Sequence, residues 1–289
     1  MFWKTAVEQI LSENFNKPVE ILNTNSVSGG SINDAYKVGT NAGLFFVKQN
    51  SASLYPGMFE KEALGLKILA STGAIDVPEV MATGKTNNTA FLILGFIKSA
   101  PKQPDFWELF AEGLATLHRN TATYFGLDHD NYIGFLPQLN KKHDNWEDFF
   151  REERLEKQVK MARDNGRIGT DLARAFIRFY LKLPELFPRE PPALLHGDLW
   201  SGNYMVNEQG KPVIIDPAVY YGHREMELGM SQLFGGFNSR FYEAYHRYYP
   251  LEKGWQQRLD YCNLYPLMVH VNLFGGGYAA SVQAILRKF

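Results

Sequence analysis

The chain has 289 residues, 45% of them apolar and 21% charged, which is the composition of a globular protein and excludes a disordered or fibrous one. Its 30 Lys and Arg against 31 Asp and Glu leave a net charge of −1, so no general electrostatic attraction to nucleic acid or acidic membrane is expected. The single cysteine, Cys262, excludes an intrachain disulfide and a Cys-rich zinc site.

The N-terminus, Met1-Phe2-Trp3-Lys4, lacks a charged stretch followed by an apolar one, so no signal peptide is read and the expected compartment is cytoplasmic. The chain to about Leu94 then reads as a short helix followed mostly by strands. Val27 to Val38 holds two strand patterns around Gly29-Gly30, and Leu44-Phe45-Phe46-Val47-Lys48 is a further strand. Apolar residues recur at helical spacing at Phe59, Ala63, Leu66 and Leu69 or Ala70. Val77 to Thr83 and Ala90 to Ile97 predict two strands around the polar turn Lys85-Thr86-Asn87-Asn88. The proline-containing stretch 98–104 is a linker. Beyond it, Phe106, Leu109, Phe110, Gly113, Leu114 and Leu117 share one face of an amphipathic helix. Further helices are predicted over 146–164, 169–181, 225–233, 241–249 and 255–272. One strand-rich island interrupts them, at Leu194-Leu195, Tyr204-Met205-Val206 and Val213-Ile214-Ile215. Tyr261 to Leu286 carries no charge, but its Pro266, His270, Asn272 and Gly275-Gly276-Gly277 predict two buried helices joined at the glycines and no membrane span. The outline is α+β, with a small strand-rich lobe over 1–97 and a larger, mainly helical lobe over 98–289.

The strongest chemical signal is His196-Gly197-Asp198-Leu199-Trp200-Ser201-Gly202-Asn203, set between apolar strands and followed by Val213-Ile214-Ile215-Asp216. An Asp, an Asn five residues on and a second Asp thirteen further match the catalytic loop and metal-binding Asp of a kinase. Phosphoryl transfer needs a carboxylate for the proton of the attacking hydroxyl and oxygen ligands for Mg²⁺. Asp198 is the candidate base, and Asn203 and Asp216 are the candidate ligands. Three features support the set. The Gly29-Gly30 turn lets backbone N–H groups approach phosphates, although a plain hairpin turn gives the same pattern. Lys48 ends an apolar strand, and Glu62 lies within the apolar stripe of the next helix, where a carboxylate is expensive unless paired. Gly84-Lys85-Thr86 is no Walker loop, since Glu79 occupies the place of its first glycine. Arg151-Glu152-Glu153-Arg154 reads as a solvated helix face.

These stretches resemble the fructosamine kinase (ketosamine-3-kinase) family of aminoglycoside-phosphotransferase-like kinases. The resemblance runs through Gly29-Gly30-Ser31-Ile32-Asn33, Met58 to Ala63, Asp130-Asn131-Tyr132-Ile133-Gly134 with Pro137-Gln138, Trp146 to Phe150, His196 to Asn203, Asp216-Pro217-Ala218, Tyr221-Gly222-His223 and Phe234-Gly235-Gly236-Phe237. It implies a two-lobed protein-kinase-like fold, with a small antiparallel-sheet lobe and a larger helical lobe. It also implies ATP- and Mg²⁺-dependent phosphorylation of the 3-hydroxyl of a ketosamine, small or protein-linked, in deglycation. By the same resemblance Asp198 is the base, Asn203 and Asp216 hold Mg²⁺, and Lys48 contacts phosphate with Glu62 as its partner. Gly29, Gly30 and Ser31 flank the phosphates, and Leu94, Gly95, Phe96 and Ile97 hold adenine through the backbone. Trp200 is a platform for the sugar or a core residue, and His270 and Asn272 line the acceptor pocket or serve the core. Gly197 replaces the arginine found before the base in many protein kinases, which predicts a site formed without activation-loop phosphorylation. Some members carry a cysteine in the glycine turn where this chain has Ser31, so redox control there is not expected. The competing readings are a kinase for an aminoglycoside or choline-like amine, which an acid-rich acceptor pocket would favour, and an inactive nucleotide-binding module. No oligomeric state is read.

Overall fold

A computed structural model describes residues 2–27 and 33–289, and the chain separates into two compact units, Met1–Phe106 with Met205–Pro217, and Trp107–Tyr204 with Ala218–Phe289. In the first unit, α1 (Phe2–Phe15) precedes β1 (Ile21–Ser26), β2 (Asp34–Thr40), β3 (Gly43–Ser51), α2 (Met58–Ser71), β4 (Val80–Thr86) and β5 (Thr89–Gly95). These strands form an antiparallel sheet in the order β1-β2-β3-β5-β4, so β3 is central. Strand alternation sends successive side chains to opposite faces. Phe45, Val47, Phe91 and Ile93 pack with Val7 and Leu11 of α1, while Phe46, Leu92 and Leu94 pack with Phe59, Ala63 and Leu66 of α2. β1 starts earlier than Val27, where the sequence pattern placed a strand. It is an edge strand with mostly exposed side chains, so no apolar alternation marks it.

The second unit opens with α3 (Phe106–His118). The short hairpin β6 (Asn131–Ile133) and β7 (Leu136–Gln138) follows, turning at Gly134. α4 (Trp146–Phe149) starts at Asn145, whose side chain accepts from Asp148 N. The helix then widens into a π turn over Phe150–Leu155 before α5 (Glu156–Asp164). The π turn corrects the expectation of a solvated face at 151–154. Arg154 is fully buried, donating to Leu139 O at 2.6 Å and Asn140 Oδ1 at 2.8 Å, and buried Glu153 meets His143 at 3.2 Å. The wider turn lets these two consecutive side chains point inward together.

α6 (Thr170–Tyr180) and α7 (Leu183–Leu186) lead to β8 (Ala193–Leu195). β9 (Tyr204–Val206) and β10 (Pro212–Ile214) pair, and β11 (Tyr220–Gly222) returns antiparallel to β8. Most of the β9–β10 hairpin belongs to the first unit, where Ile214 N donates to Asp76 O at 3.0 Å. The chain ends in α8 (Glu225–Gln232), α9 (Ser239–Tyr248), α10 (Trp255–Cys262), α11 (Leu264–Phe274) and α12 (Tyr278–Leu286). The helix predicted over 255–272 is thus two helices that meet at Asn263. Among the described residues no helix is long and apolar enough to cross a membrane.

Candidate active site

Lys48 lies on β3 opposite Leu92, on the sheet face that α2 covers. Its ammonium meets Glu62 Oε1 and Oε2 at 2.8 and 3.0 Å and Asp216 Oδ1 at 3.2 Å. The lysine and Glu62 side chains are 7% and 11% exposed, whereas that of Asp216 is 46% exposed. Burial works against the lysine charge, but Asp216 and then Glu62 outweigh it, and the Lys48 pKa ends above its ordinary value. Burial also raises the Glu62 pKa against the attraction of Lys48. Asp216 itself sits in the left-handed region with φ +57°, directly before Pro217. Such a backbone costs about 1–3 kcal/mol in a non-glycine residue and persists where its surroundings hold it.

The loop carrying Asp198 is built around one buried carboxylate. Glu227 of α8 accepts His196 N at 2.6 Å and Gly197 N at 2.9 Å. Burial opposes its charge, but His118, whose Nε2 lies 3.6 Å away, the neighbouring His196 and the Gly197 N–H hold it below the usual carboxylate range. Gly197 has φ +86°, and a Cβ there would come within 2.0 Å of Ala218 O. Any side chain at this position, arginine included, would meet that carbonyl. Asn203, 8% exposed, closes the loop: its Nδ2 donates to Asp198 O at 2.8 Å and to Asp198 Oδ2 at 2.9 Å. These bonds orient the Asp198 carboxylate and leave the amide oxygen of Asn203 as its other polar end. A neutral amide oxygen such as that of Asn203 and an anionic carboxylate such as that of Asp216 are each the kind of ligand that suits a hard divalent cation such as Mg²⁺.

Beside Asp198 lies a cavity of about 20 Å³, room for one water molecule, lined by Gly197, Tyr220, Glu227, Tyr265, His270 and apolar side chains. His270 Nδ1 is 2.8 Å from Pro266 O, and burial lowers its pKa. The rings of Phe234 and His270 lie 4.6 Å apart, His270 and Tyr278 5.0 Å, and Trp200 and Phe234 5.9 Å, giving a continuous aromatic run. Trp200 is half-buried and lies against Gly202, where a Cβ would meet the ring at 2.4 Å. Asn272 is not part of this group. Its Nδ2 donates to Gln158 O at 3.0 Å and Gln158 Oε1 at 2.7 Å, fastening α11 to α5.

Gly29, Gly30 and Ser31 lie outside the described residues. In the stretch expected to hold adenine, Leu94 is buried in the strand core, Gly95 N donates to Glu79 O at 2.8 Å, and Phe96 N donates to Leu44 O at 3.3 Å. Two of the expected backbone donors are therefore engaged within the sheet, and Ile97, beyond the end of β5, is the next N–H in the chain. Sequence reasoning missed Glu227. The signal was present in two glutamates, Glu225 and Glu227, on a helix with hardly a polar face, for α8 is buried from Glu225 to Ser231.

A family model described as fructosamine kinase matches residues 2–289. The chain belongs to the fructosamine kinase family. It is 41% identical over 287 residues to a "Probable ketoamine kinase" of Synechocystis sp., covering 99% of this chain and 96% of that one. To the chloroplastic protein-ribulosamine 3-kinase of Arabidopsis thaliana it is 40% identical over 287 residues, covering 98% and 86%. A crystal structure assigned as a fructosamine-3-kinase from Haemophilus somnus 129PT superposes with a TM-score of 0.88 at 29% identity, covering 98% and 96%. The aminoglycoside phosphotransferase APH(4)-Ia shares the fold, with a TM-score of 0.65 at 17% identity and 98% of each chain covered. The fructosamine kinase fold is thus protein-kinase-like, with a five-stranded antiparallel sheet in one unit and a mainly helical second unit. Membership in the fructosamine kinase family makes the chain a kinase, and kinases of this kind draw on ATP.

Proposed function

We propose that the chain is an ATP-dependent ketosamine 3-kinase that phosphorylates the 3-hydroxyl of fructosamine- or ribulosamine-type acceptors, free or protein-linked, as a step in deglycation. The observation that carries the reading is the Asp198–Asn203 pair, in which two hydrogen bonds from one amide orient a half-buried carboxylate. Asp198 accepts the proton of the acceptor hydroxyl as its oxygen bonds to the γ-phosphorus. The bond from that phosphorus to the β–γ bridging oxygen breaks, and ADP leaves. Lys48, kept charged by Asp216 and Glu62, contacts the phosphates. Asn203 and Asp216 would hold Mg²⁺, which when bound neutralises charge on the phosphate oxygens. Residues 1–97 serve as the nucleotide-binding lobe and 98–289 as the catalytic and acceptor lobe, with Trp200 and His270 toward the sugar.

ATP consumption measured across fructosamines, ribulosamines, aminoglycosides and choline, with and without Mg²⁺, tests the reading. Turnover is expected with a ketosamine and Mg²⁺, and Asp198→Asn should lower kcat by about 1,000-fold while leaving nucleotide affinity largely intact. Turnover of another acceptor with none of any ketosamine would overturn it, and near-normal kcat in Asp198→Asn would remove the base assignment.

A further inference from the structure

We propose that the β6–β7 hairpin is a clamp for the metal-side carboxylate, with Asn131 and Gln138 as positioning residues that fix the backbone just after Asp216. The proposal rests on the reading of Asp216 as a metal ligand. Gln138 Nε2 donates to Ala218 O at 2.9 Å and to Asn131 Oδ1 at 2.8 Å, and Asn131 Nδ2 donates to Val219 O at 2.8 Å. Gln138 Oε1 accepts Tyr265 Oη at 2.7 Å, and Asn140 Nδ2 donates to Asn131 Oδ1 at 3.1 Å. From the other side Ala218 N donates to His196 O at 2.8 Å, and the bare Cα of Gly197 lets the Ala218 carbonyl approach. Both polar backbone groups of Ala218, and the carbonyl of Val219, therefore have fixed partners. Two of those partners are hairpin amides, and a third belongs to the loop that carries Asp198.

Asn131 and Gln138 are 6% and 1% exposed. Buried amides are costly unless every group is bonded, and an apolar pair would fill the same space. What these amides add is a reading of two carbonyl positions, which specifies the conformation of 218–219. The residue two places upstream is the one that needs holding, because Asp216 is left-handed and precedes a proline. Its other flank is fixed by the bond from Ile214 N to Asp76 O. Downstream, β11 pairs with β8, Tyr221 exchanges backbone bonds with Gly126, and α8 begins at Glu225. Residues 217–224 thus leave no loose segment of the kind that orders and disorders in switching kinases.

The test uses the full chain and Mn²⁺ as probe, bound in the presence of ADP and followed by electron paramagnetic resonance, alongside steady-state kinetics. Gln138→Met removes the donor at similar length and should weaken Mn²⁺ binding about tenfold and lower kcat comparably, with acceptor KM within about twofold. The double variant Asn131→Leu/Gln138→Met should bind Mn²⁺ no worse than the weaker single variant, since both residues serve one device. Tyr265→Phe, which removes one bond and keeps the ring, should shift Mn²⁺ affinity in the same direction and serves if Gln138→Met does not fold. Mn²⁺ affinity unchanged in Gln138→Met or Tyr265→Phe, with only a lower melting temperature, would overturn the clamp. Asp216→Asn is the reference. If it leaves Mn²⁺ affinity unchanged, the metal assignment falls and the clamp with it, whereas a loss in Asp216→Asn alone rejects the clamp and keeps the site.

Discussion

Lys48 shows how one residue's environment sets its chemistry. In water its charge would need no help. In the sheet it is nearly enclosed, and two carboxylates restore what burial takes away. Lys48→Ala removes that cation and leaves Glu62 enclosed without a partner. Breaking a buried pair in this way costs about 3–5 kcal/mol, although Glu62, whose pKa is already raised, recovers part of this by taking a proton. We expect kcat/KM for ATP to fall by at least about 100-fold and the melting temperature to drop, both measurable on one preparation. Retention of wild-type kcat/KM would show that the lysine does not touch the phosphates. The contacts of Lys48 with Glu62 and Asp216, and of Asp198 with Asn203, join residues that the sequence had singled out, because the proposed phosphoryl transfer would ask for those side chains in that order. Glu227, Asn131 and Gln138 were not, because they act on backbone N–H and C=O groups, which every residue carries and no spacing announces. For Asn272 the sequence left acceptor pocket and core open, and its bonds to Gln158 favour the core. A polar residue in an uncharged helix looks aimed at a ligand until its partner, Gln158, is known.

At the scale of elements, strand alternation placed Lys48 toward α2, and that part of the fold followed from the apolar pattern. The edge strand β1, the β6–β7 hairpin, the π turn and the break at Asn263 did not follow. β1 hides behind exposed side chains, the hairpin strands are too short to show a period, and the π turn and break are set by tertiary partners such as the Leu139 carbonyl. α8 has the clearest functional load. It presents Glu227 to the loop that carries Asp198 while Glu225 forms a bidentate pair with Arg258 of α10, at 2.6 and 2.7 Å. Glu227→Gln keeps the shape but offers one oxygen to two N–H groups. The expected result is a kcat lowered about tenfold with KM for ATP little changed, and steady-state kinetics with equal loss in kcat and in ATP affinity would contradict it.

Across the whole molecule, titration has a direction. Burial leads in lowering the pKa of His118, His223 and His270 from 6.5. Below about pH 6.5 the unfolded chain therefore binds more protons than the folded one, and stability falls as pH falls, by at most about 1.4 kcal/mol per pH unit for each histidine. Glu190 and Glu227, held below 4.5, add a second loss beneath that value, while Glu62, held above it, works in the opposite sense. Thermal unfolding should show a lower melting temperature at pH 5.5 than at pH 7.5. A flat profile between the two would mean that the histidines are charged in the folded state. The lone Cys262 takes no part in any of this. It is fully buried, and burial raises its thiol pKa, so it is poorly reactive as the enzyme stands.

The close contact between Gly197 and the Ala218 carbonyl bears on how such an enzyme could be inhibited. A compound that bound by displacing the chain just after Asp216 would need room that the fold around Ala218 does not offer. Here that chain would have to leave a position where Ala218 is bonded at both its N–H and its C=O, and where the space on the Gly197 side is already filled. Inhibitor chemistry aimed at this protein is thereby steered toward the nucleotide and acceptor positions, and a compound library built around displaced-segment binding modes should yield few hits against it.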